Sequence, residues 1–426
     1  MRILAVAHGL WRGGAQESTL DMLGLLRRRG LDVTVLTCED ALSSFISDIQ
    51  KLGVSVHKAP HRIVAHYPDI AVQENLVRSH DVVWISDIEY LVARRVKRID
   101  RSIPVIAHIR SFELVCPESH AFYGHREMCM RRCSSSRIIR CKQLTNEYFA
   151  DWGVLGKPRM SANWLLDFAK GPADFMTWPM KDAAEAIDAF IAVSDWVKDL
   201  VRTHSSELEN VPIHVVHNPV ITQGKADMKN QRDDVRRILY ASGKWPMKGP
   251  HIAICAARKL LDMGHREFVL TMLGVKGIAW IDGLVRRLGM DHRIELLPKV
   301  DRNETRRLMA RSSAILMPSL WGEPFGRVPV EANLLGKPAI VSNRGALPDL
   351  VADKITGLVA EPSPQAFGES IAEGLTRDWN RELILRIAKE RFDLEHIVNE
   401  YTRFLDSFVS GKETASLAER HTFDLD

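Results

Sequence analysis

The sequence predicts an α/β protein with two domains, each built on a mostly parallel β-sheet. The chain has 426 residues, more than a single hydrophobic core usually encloses. Short apolar runs of strand length alternate with segments of helical spacing, which is typical of parallel strands joined by crossover helices. A polar stretch at about 221–237 separates two such series, and we interpret it as the boundary between the domains.

The first series begins with the apolar run 3–7, a loop containing Gly13 and Gly14, and a helix that ends near Gly30. Its further predicted strands are 32–37, 54–57, 81–86, 104–108, 189–193 and 213–216. The strands predicted for the second series are 238–241, 268–273, 294–296, 314–317, 338–341 and 357–359. A helical pattern then covers 380–409. We therefore expect four parts: an N-terminal domain at 1–220, a C-terminal domain at 221–388, a helix at 389–410 that packs back on the N-terminal domain, and a polar tail at 411–426.

The composition is that of an ordinary globular protein, with 46% hydrophobic and 26% charged residues. No signal peptide is recognisable, and no apolar run approaches the ~20 residues of a membrane-spanning helix, so we expect a cytoplasmic protein. Basic clusters at 27–29, 94–98 and 126–142 are compatible with solvated helix faces. Together they also suggest a basic surface that faces anionic lipid or an anionic acceptor. Contact with lipid would hold the protein peripherally on the inner face of the membrane. The net charge of +4 argues against nucleic acid as a partner.

Residues 318–349 carry the most information about function. An apolar strand at 314–317 runs into a loop containing Glu323, Pro324, Phe325 and Gly326. A helix is predicted from about 328 to 335. Ligands of open α/β sheets bind at such strand ends, where loop amides and the helix dipole favour an anion. Glu323 and Glu331 can accept hydrogen bonds from the hydroxyls of a sugar and a ribose. An ordinary helix glutamate is the alternative for Glu331, and the glycines and prolines around it argue against that alternative.

The run Glu-Pro-Phe-Gly-x4-Glu-Ala at 323–332, with Gly-x-Pro-x-Ile at 336–340 and Gly-x-Leu-Pro-Asp at 345–349, resembles the donor-binding signature of the retaining glycosyltransferases of family GT4. The resemblance covers about residues 1–405. It implies the GT-B fold, two Rossmann-like domains facing across a cleft. It also implies metal-independent transfer of a hexosyl unit, with retention, from a UDP- or GDP-linked sugar to an acceptor hydroxyl. The enzyme would act in glycan, glycolipid or polysaccharide synthesis. Its acceptor would be a glycan, a lipid-linked molecule or a small molecule.

The same resemblance implies roles for residues outside this segment. The loop with Gly13 and Gly14 would let the backbone approach the donor closely. Lys248, assisted by Lys244 after Gly243, would hold the donor diphosphate, although the family usually has Arg at the first of these positions and one more residue between the two. His108, at a strand end, would lie near the donor sugar, and Lys299 and Val300 would help to seat the base. The implied catalytic residues are His108, Glu323 and Lys248.

Four of the six cysteines lie close together in an Arg-rich insert at about 112–145: Cys116, Cys129, Cys133 and Cys141. Cytosolic proteins seldom form disulfides, so this spacing suggests a structural Zn site. Free thiols or a redox-dependent clip are the alternatives. The insert is expected to shape acceptor binding. No cofactor is expected to be required for catalysis.

Two other classes of function are weighed against the transferase. A nucleotide-sugar epimerase could use the same fold, and would form an epimer instead of transferring the sugar. A non-catalytic binding protein would need a degenerate cleft, and the intact glutamate pair argues against it.

Overall fold

The computed structural model describes residues 1–11, 13–64, 67–116, 121–124, 126–129, 131, 133–151, 183–205, 208–222 and 236–411. Most of the predicted domain boundary and nearly all of the predicted polar tail lie outside these residues. No helix in the described ranges is both long enough and apolar enough to cross a membrane.

The N-terminal half contains a seven-stranded, fully parallel sheet in the order β11-β10-β7-β6-β1-β2-β3. The strands of this half are β1 (Arg2–Val6), β2 (Asp32–Cys38), β3 (Ser55–Ala59), β4 (His61–Val64), β5 (Tyr67–Ile70), β6 (Val82–Ile85), β7 (Val105–Ile109), β8 (Phe122–Tyr123), β9 (Glu127–Met128), β10 (Ala189–Ala192) and β11 (Ile213–Val215). Its helices are α1 (Gly14–Arg28), α2 (Ser43–Lys51), α3 (Glu74–Arg78), α4 (Val92–Ile99), α5 (Ser135–Asp151) and α6 (Asp195–His204).

The C-terminal half contains a six-stranded parallel sheet in the order β14-β13-β12-β15-β16-β17. Its strands are β12 (Arg236–Tyr240), β13 (Phe268–Met272), β14 (Ile294–Leu296), β15 (Ala314–Met317), β16 (Ala339–Ser342) and β17 (Gly357–Ala360). A 3-10 turn at Pro246–Lys248 precedes the helices α7 (Pro250–Asp262), α8 (Ala279–Arg287), α9 (Arg302–Arg311), α10 (Arg327–Asn333), α11 (Leu347–Leu350), α12 (Pro364–Thr376), α13 (Arg381–Arg391) and α14 (Leu394–Val409). The predicted α/β fold with two Rossmann-like domains is confirmed.

The strand order places the ligand-binding edge of each sheet. The chain order reverses at β1, which lies between β6 and β2, and again at β12, which lies between β13 and β15. Loops that leave such positions at the carboxyl ends of the strands part in opposite directions and open a crevice. The loop after β1 contains Gly13 and Gly14, and the loops after β12 and β15 contain Lys248 and Glu323. The strand order thus brings the predicted site to these two edges.

Two details differ from the sequence-based expectation. The helical pattern at 380–409 is two helices, α13 and α14, because Asp393 ends the first and caps the second by accepting a hydrogen bond from the His396 amide at 2.6 Å. Two antiparallel hairpins, β4-β5 and β8-β9, were not predicted. Helix α14 packs on the N-terminal core, where the Tyr401 ring meets Trp84 edge-on at 5.5 Å.

Candidate active site

Two glycines with positive φ shape the loop between β15 and α10. One lies at the end of this loop, and the other lies after β16 and pairs with it. Gly326 (φ 92°) caps α10, and a Cβ there would lie 2.6 Å from Leu347. Gly345 (φ 62°) pairs with Glu323 in a β-bridge, and a Cβ there would lie 2.3 Å from the Glu323 amide nitrogen. Only glycine allows both the conformation and the approach. The Gly-x-Leu-Pro-Asp segment therefore fixes the backbone that carries Glu323.

Glu323 is 3% exposed and has a full set of hydrogen-bond donors. Lys248 donates to both carboxylate oxygens at 2.8 Å. Ser319 donates to Oε1 at 2.6 Å, and the Trp321 indole donates to the same oxygen at 2.7 Å. A buried carboxylate is tolerated when it is paired and hydrogen-bonded in this way. The two residues assigned to the donor on the sequence, Glu323 and Lys248, thus form one ion pair.

Lys248 reaches Glu323 from the loop after β12. The ammonium also lies 4.4 Å from the centre of the Trp321 ring, a cation–π contact. Gly249 (φ 73°) follows, and a Cβ there would lie 1.9 Å from the Pro318 carbonyl oxygen. The loops after β12 and β15 are therefore packed backbone to backbone, and this packing holds the lysine in place.

The two lysines of the predicted diphosphate clamp have different surroundings. Lys244, next to Gly243, is exposed, and its ammonium lies 5.8 Å from the Trp245 ring. Lys248 instead pairs with Glu323. The predicted assisting role of Lys244 stays a prediction.

The second predicted glutamate, Glu331, is held by a residue that the sequence analysis did not single out. Arg327, one turn earlier on α10, donates to Glu331 Oε1 from Nε at 3.3 Å and from Nη2 at 3.2 Å. The same guanidinium donates to Asp21 Oδ2 and to Ser18 Oγ, both on α1, each at 2.9 Å. It also donates to the Pro219 carbonyl oxygen at 2.9 Å. Arg327 therefore links the ribose-binding candidate to the N-terminal half.

The predicted Gly13-Gly14 loop lies at this junction. Gly13 caps α1, and its amide donates to the Gln16 side chain at 3.1 Å. A Cβ on Gly14 would lie 3.7 Å from Cδ of Arg327. No pattern in the sequence indicated this contact. It brings the loop after β1 next to the donor motif of the other half.

Further contacts join the two halves beside Glu323. Ser194 after β10 donates to the Pro324 carbonyl oxygen at 2.6 Å. A Cβ on Gly322 would lie 2.3 Å from the ring of Trp196. Phe112 contacts the rings of Trp196 and Trp321 edge-on, at 5.5 and 5.4 Å. The carboxyl edges of the two sheets thus meet at a shared, partly aromatic surface. We call the space between these two edges the cleft.

His108 lies inside the N-terminal half. Its Nδ1 accepts a hydrogen bond from the Trp84 indole at 3.2 Å, and its ring stacks on Tyr401 at 5.5 Å. Burial, with a smaller contribution from the Arg110 guanidinium, holds its pKa well below the ordinary value of 6.5. The imidazole is therefore neutral. Its predicted place beside the donor sugar stays a prediction.

A buried cluster of acidic groups lies at the carboxyl ends of β1, β6 and β7. These residues were not predicted from the sequence. Glu89 accepts from the His8 amide at 2.6 Å and the Asp87 amide at 3.1 Å, and Gln16 donates to Asp87 at 3.0 Å. Burial raises the pKa of Glu89. Burial, followed by the charge of Asp87, raises the pKa of Glu113 to about 8. Polar residues directly after a buried strand were the signal that could have revealed this cluster.

The remaining predicted residues lie in the loop after β14 and in the cysteine insert. Lys299 is exposed and Val300 half-buried in the loop after β14. In the insert, Cys133 is half-buried, and the Gly124 amide donates to the sulfur of Cys141 at 3.2 Å. In the described ranges the four cysteines predicted to bind Zn form no group with three ligand atoms all within 4.8 Å of one another. His120 and His125 of the insert lie outside these ranges.

Comparison with known families covers both halves. Residues 13–219 match the family described as glycosyl transferase 4-like domain, and residues 225–391 match glycosyl transferases group 1. The chain belongs to the glycosyltransferases. The two matches meet close to the predicted domain boundary, and together they cover most of the chain.

Individual relatives agree with this assignment. The glycosyltransferase YtcC of Bacillus subtilis is 27% identical over 235 residues, which cover 49% of this chain and 56% of the relative. The D-inositol 3-phosphate glycosyltransferase of Mycobacterium tuberculosis is 35% identical over 127 residues, or 29% of this chain and 26% of the relative. The chain thus spans about half the length, or less, of these curated relatives.

A solved structure supports the fold across the whole length. Anabaena HepE in complex with UDP superimposes with a TM-score of 0.65 at 18% identity, covering 96% of this chain and all of that one. The same protein has been solved with UDP-glucose. The sucrose-phosphate synthase of Thermosynechococcus elongatus gives a TM-score of 0.66 at 15% identity, with 96% and 100% coverage. These neighbours identify the fold as GT-B.

Proposed function

We propose that this glycosyltransferase moves a hexosyl unit from a nucleoside diphosphate sugar to an acceptor hydroxyl with retention of configuration. The observation that carries the proposal is the ion pair of Lys248 and Glu323, buried against Trp321 at the carboxyl edge of the C-terminal sheet. A cation and a carboxylate held side by side suit a ligand that presents a diphosphate next to a hydroxylated ring.

In this proposal Lys248 stabilises the leaving diphosphate. The ammonium is preorganised by Glu323 and by the Trp321 ring, so little reorganisation is needed when negative charge develops on the leaving oxygen. Amides near Gly14, at the start of α1, face the same cleft and add partial positive charge. We assign neutralisation of the diphosphate to these groups and not to a metal ion.

Glu323 and Glu331 hold hydroxyl groups. Both hydrogen bonds from Arg327 reach Oε1 of Glu331, so we assign Oε2 to the ribose of the donor. Glu323, with the backbone of Phe325 and Gly326, is assigned to the hydroxyls of the transferred sugar. A sugar hydroxyl would then replace one of the donors that now reach this carboxylate. Retention follows if the leaving phosphate oxygen takes the acceptor proton on the same face of the sugar.

The contacts between the halves give the cleft a closed arrangement. Asp21, Ser18 and Arg327 join α1 to α10, and Ser194 joins the N-terminal half to Pro324. A closed cleft excludes water, which protects the activated donor from hydrolysis. Product release would require these contacts to part.

A panel of nucleotide sugars tests the proposal. UDP-glucose comes first because the structural neighbour HepE was solved with UDP and with UDP-glucose, followed by GDP- and ADP-linked sugars. A ligand at 100 times its dissociation constant stabilises the fold by ~2.7 kcal/mol, a clear rise in Tm. One nucleotide series should stand out, and incubation with glycan, lipid-linked and small-molecule acceptors should then release the nucleoside diphosphate. No stabilisation by any nucleotide sugar, or formation of an epimer without transfer, would contradict the proposal.

A further inference from the structure

Three side chains of metal-binding type converge at the carboxyl end of β2, outside the site described above. They are Cys38, the last residue of β2, Asp40 in the following turn, and His61, the first residue of β4. One ligand atom from each lies within 4.8 Å of the other two. In the sequence, Asp40 follows Cys38 by 2 residues, and His61 follows Asp40 by 21 residues. The spacing is not a recognisable metal motif, and only the fold brings the three together.

Strand register explains the convergence. Cys38 is paired with Ala59 at the end of the parallel β2-β3 ladder, and the Glu39 amide donates to the Ala59 carbonyl oxygen at 3.0 Å. Pro60 then turns the chain, so His61 comes back over the end of β2. Backbone pairing of β2 with β3 therefore places Cys38 close to the start of β4, where His61 lies.

The His61 ring is short of a partner. Its side chain is 11% exposed, and Nδ1 lies 3.4 Å from Asp40 Oδ1. Nδ1 is buried and forms no hydrogen bond with any described residue. Leaving such a buried atom without a hydrogen bond destabilises the folded protein. A ligand placed among the three groups would remove that cost.

The chemical types of the three ligand atoms indicate which ion would bind. A thiolate, an imidazole nitrogen and one carboxylate oxygen are typical of Zn²⁺, whereas Mg²⁺ and Ca²⁺ take oxygen ligands. With Zn–S near ~2.3 Å and Zn–N near ~2.0 Å, tetrahedral ligands are separated by roughly 3.3–3.5 Å, and the His61–Asp40 separation of 3.4 Å already lies in this range. Cys38 is fully buried, while the Asp40 side chain is 64% exposed. The ion would enter from the Asp40 side and keep a fourth position for water.

We propose that Cys38, Asp40 and His61 form a Zn²⁺ site that fastens the β4-β5 hairpin to the N-terminal sheet. A two-stranded hairpin is marginal by itself. This one is also held by Tyr67 and Ile70, which are buried in the N-terminal core, and by Asp69, which binds Arg95 of α4 at 2.6 Å. The bound cation also offsets the cost of ionising a buried thiol, since the Cys38 proton is released when the sulfur binds the metal. The site is separate from the cysteine insert.

Cobalt binding to the full chain tests the site without any nucleotide or acceptor. Co²⁺ added to chelator-treated protein should give tetrahedral d–d bands and thiolate charge-transfer absorption at one equivalent. Asp40→Asn, an exposed substitution that leaves the fold intact, should weaken Co²⁺ binding at least ~10-fold, as should His61→Ala and Cys38→Ser. His57→Ala and Cys255→Ser are matched controls that should bind like the wild type. Zn²⁺ should raise the Tm of the wild type and controls only.

Three results would overturn the proposal. The wild type could show no tetrahedral cobalt spectrum, or Asp40→Asn and His61→Ala could both bind Co²⁺ as the wild type does. The spectrum could instead disappear with Cys133→Ser, which would place the metal in the insert. None of these results depends on the donor, so they are independent of the outcome of the nucleotide-sugar panel.

Discussion

Arg327 of the C-terminal half donates a hydrogen bond to Asp21 of the N-terminal half at 2.9 Å. Asp21 is 5% exposed and also accepts two hydrogen bonds from Arg302, at 2.9 and 3.0 Å. Because Arg327 binds Glu331 as well, one guanidinium couples the ribose-binding candidate to helix α1. The same ion network therefore joins the two halves and positions Glu331.

Removing the carboxylate at the centre of that network should open the cleft. Asp21→Asn leaves Arg327 and Arg302 without their shared anion. We expect a loss of about 1–3 kcal/mol in the free energy of unfolding, less than for a fully buried pair because the Arg302 side chain is 35% exposed. Urea unfolding measures the loss, and small-angle scattering should show a larger radius of gyration. Glu74→Gln, which breaks an exposed pair with Arg78, is the control and should cost less than ~1 kcal/mol. Equal effects of the two substitutions would contradict this account.

The two lysines after β12 should differ sharply in transfer activity. Lys248→Ala removes the cation paired with Glu323, and we expect the rate of glycosyl transfer to fall ~10²–10³-fold. Lys244→Ala changes an exposed residue beside Trp245, and its effect should stay within ~2–3-fold. Steady-state kinetics of both variants, after circular dichroism has shown that they fold, make the comparison. A larger effect at Lys244 would reassign the diphosphate to that residue.

Gly345 should be irreplaceable for a specific steric reason. In Gly345→Ala the added Cβ would meet the Glu323 amide nitrogen at 2.3 Å, so the backbone bearing the carboxylate must move. Gly289 has a similar φ (64°, against 62°), but a Cβ there meets nothing within 4 Å. Gly289→Ala should cost only the ~1–2 kcal/mol of left-handed backbone strain. Gly345→Ala should cost more and abolish donor binding, as measured by thermal unfolding with and without nucleotide sugar.

The buried Glu113 carboxyl group gives the stability a definite pH dependence. Its pKa is raised from 4.5 to about 8, so the folded protein keeps a proton that the unfolded chain loses in this window. Its contribution to the free energy of unfolding therefore falls as the pH rises from 4.5 to about 8. Glu113→Gln cannot titrate, so the Tm of this variant minus that of the wild type should increase between about pH 6 and about pH 9. Glu39→Gln, at an exposed glutamate, should show no such trend.

Much of the fold could be predicted because buried parallel strands are continuous apolar runs. The limits of β14 and β15 were predicted to the residue, and the other predicted strands to within two residues at each end. The hairpins β4-β5 and β8-β9 were missed because their strands are short and carry polar or charged residues such as His61 and Glu127. The break at Asp393 was missed because the helical pattern continues on both sides of it.

Only those parts of the candidate site that lie within one continuous segment of the sequence could be predicted together. Glu323 and Glu331 lie in a single motif, so their spacing was visible. The ion-pair partner of Glu323 is 75 residues away at Lys248, and the two partners of Arg327 on α1, Ser18 and Asp21, are more than 300 residues away. Pairings of this range depend on the packing of two sheets and leave no local pattern. The same holds for Cys38 and His61.

A calorimetric titration of the preferred nucleotide sugar into the wild type and Glu331→Gln tests the assignment of Glu331 to the donor ribose. The variant keeps the shape of the side chain and loses the charge assigned to the ribose. We expect one donor site per chain in the wild type, with affinity ~10–100-fold weaker in Glu331→Gln, because a hydrogen bond to a charged group is lost. Equal affinities for the two proteins would contradict the donor site described here.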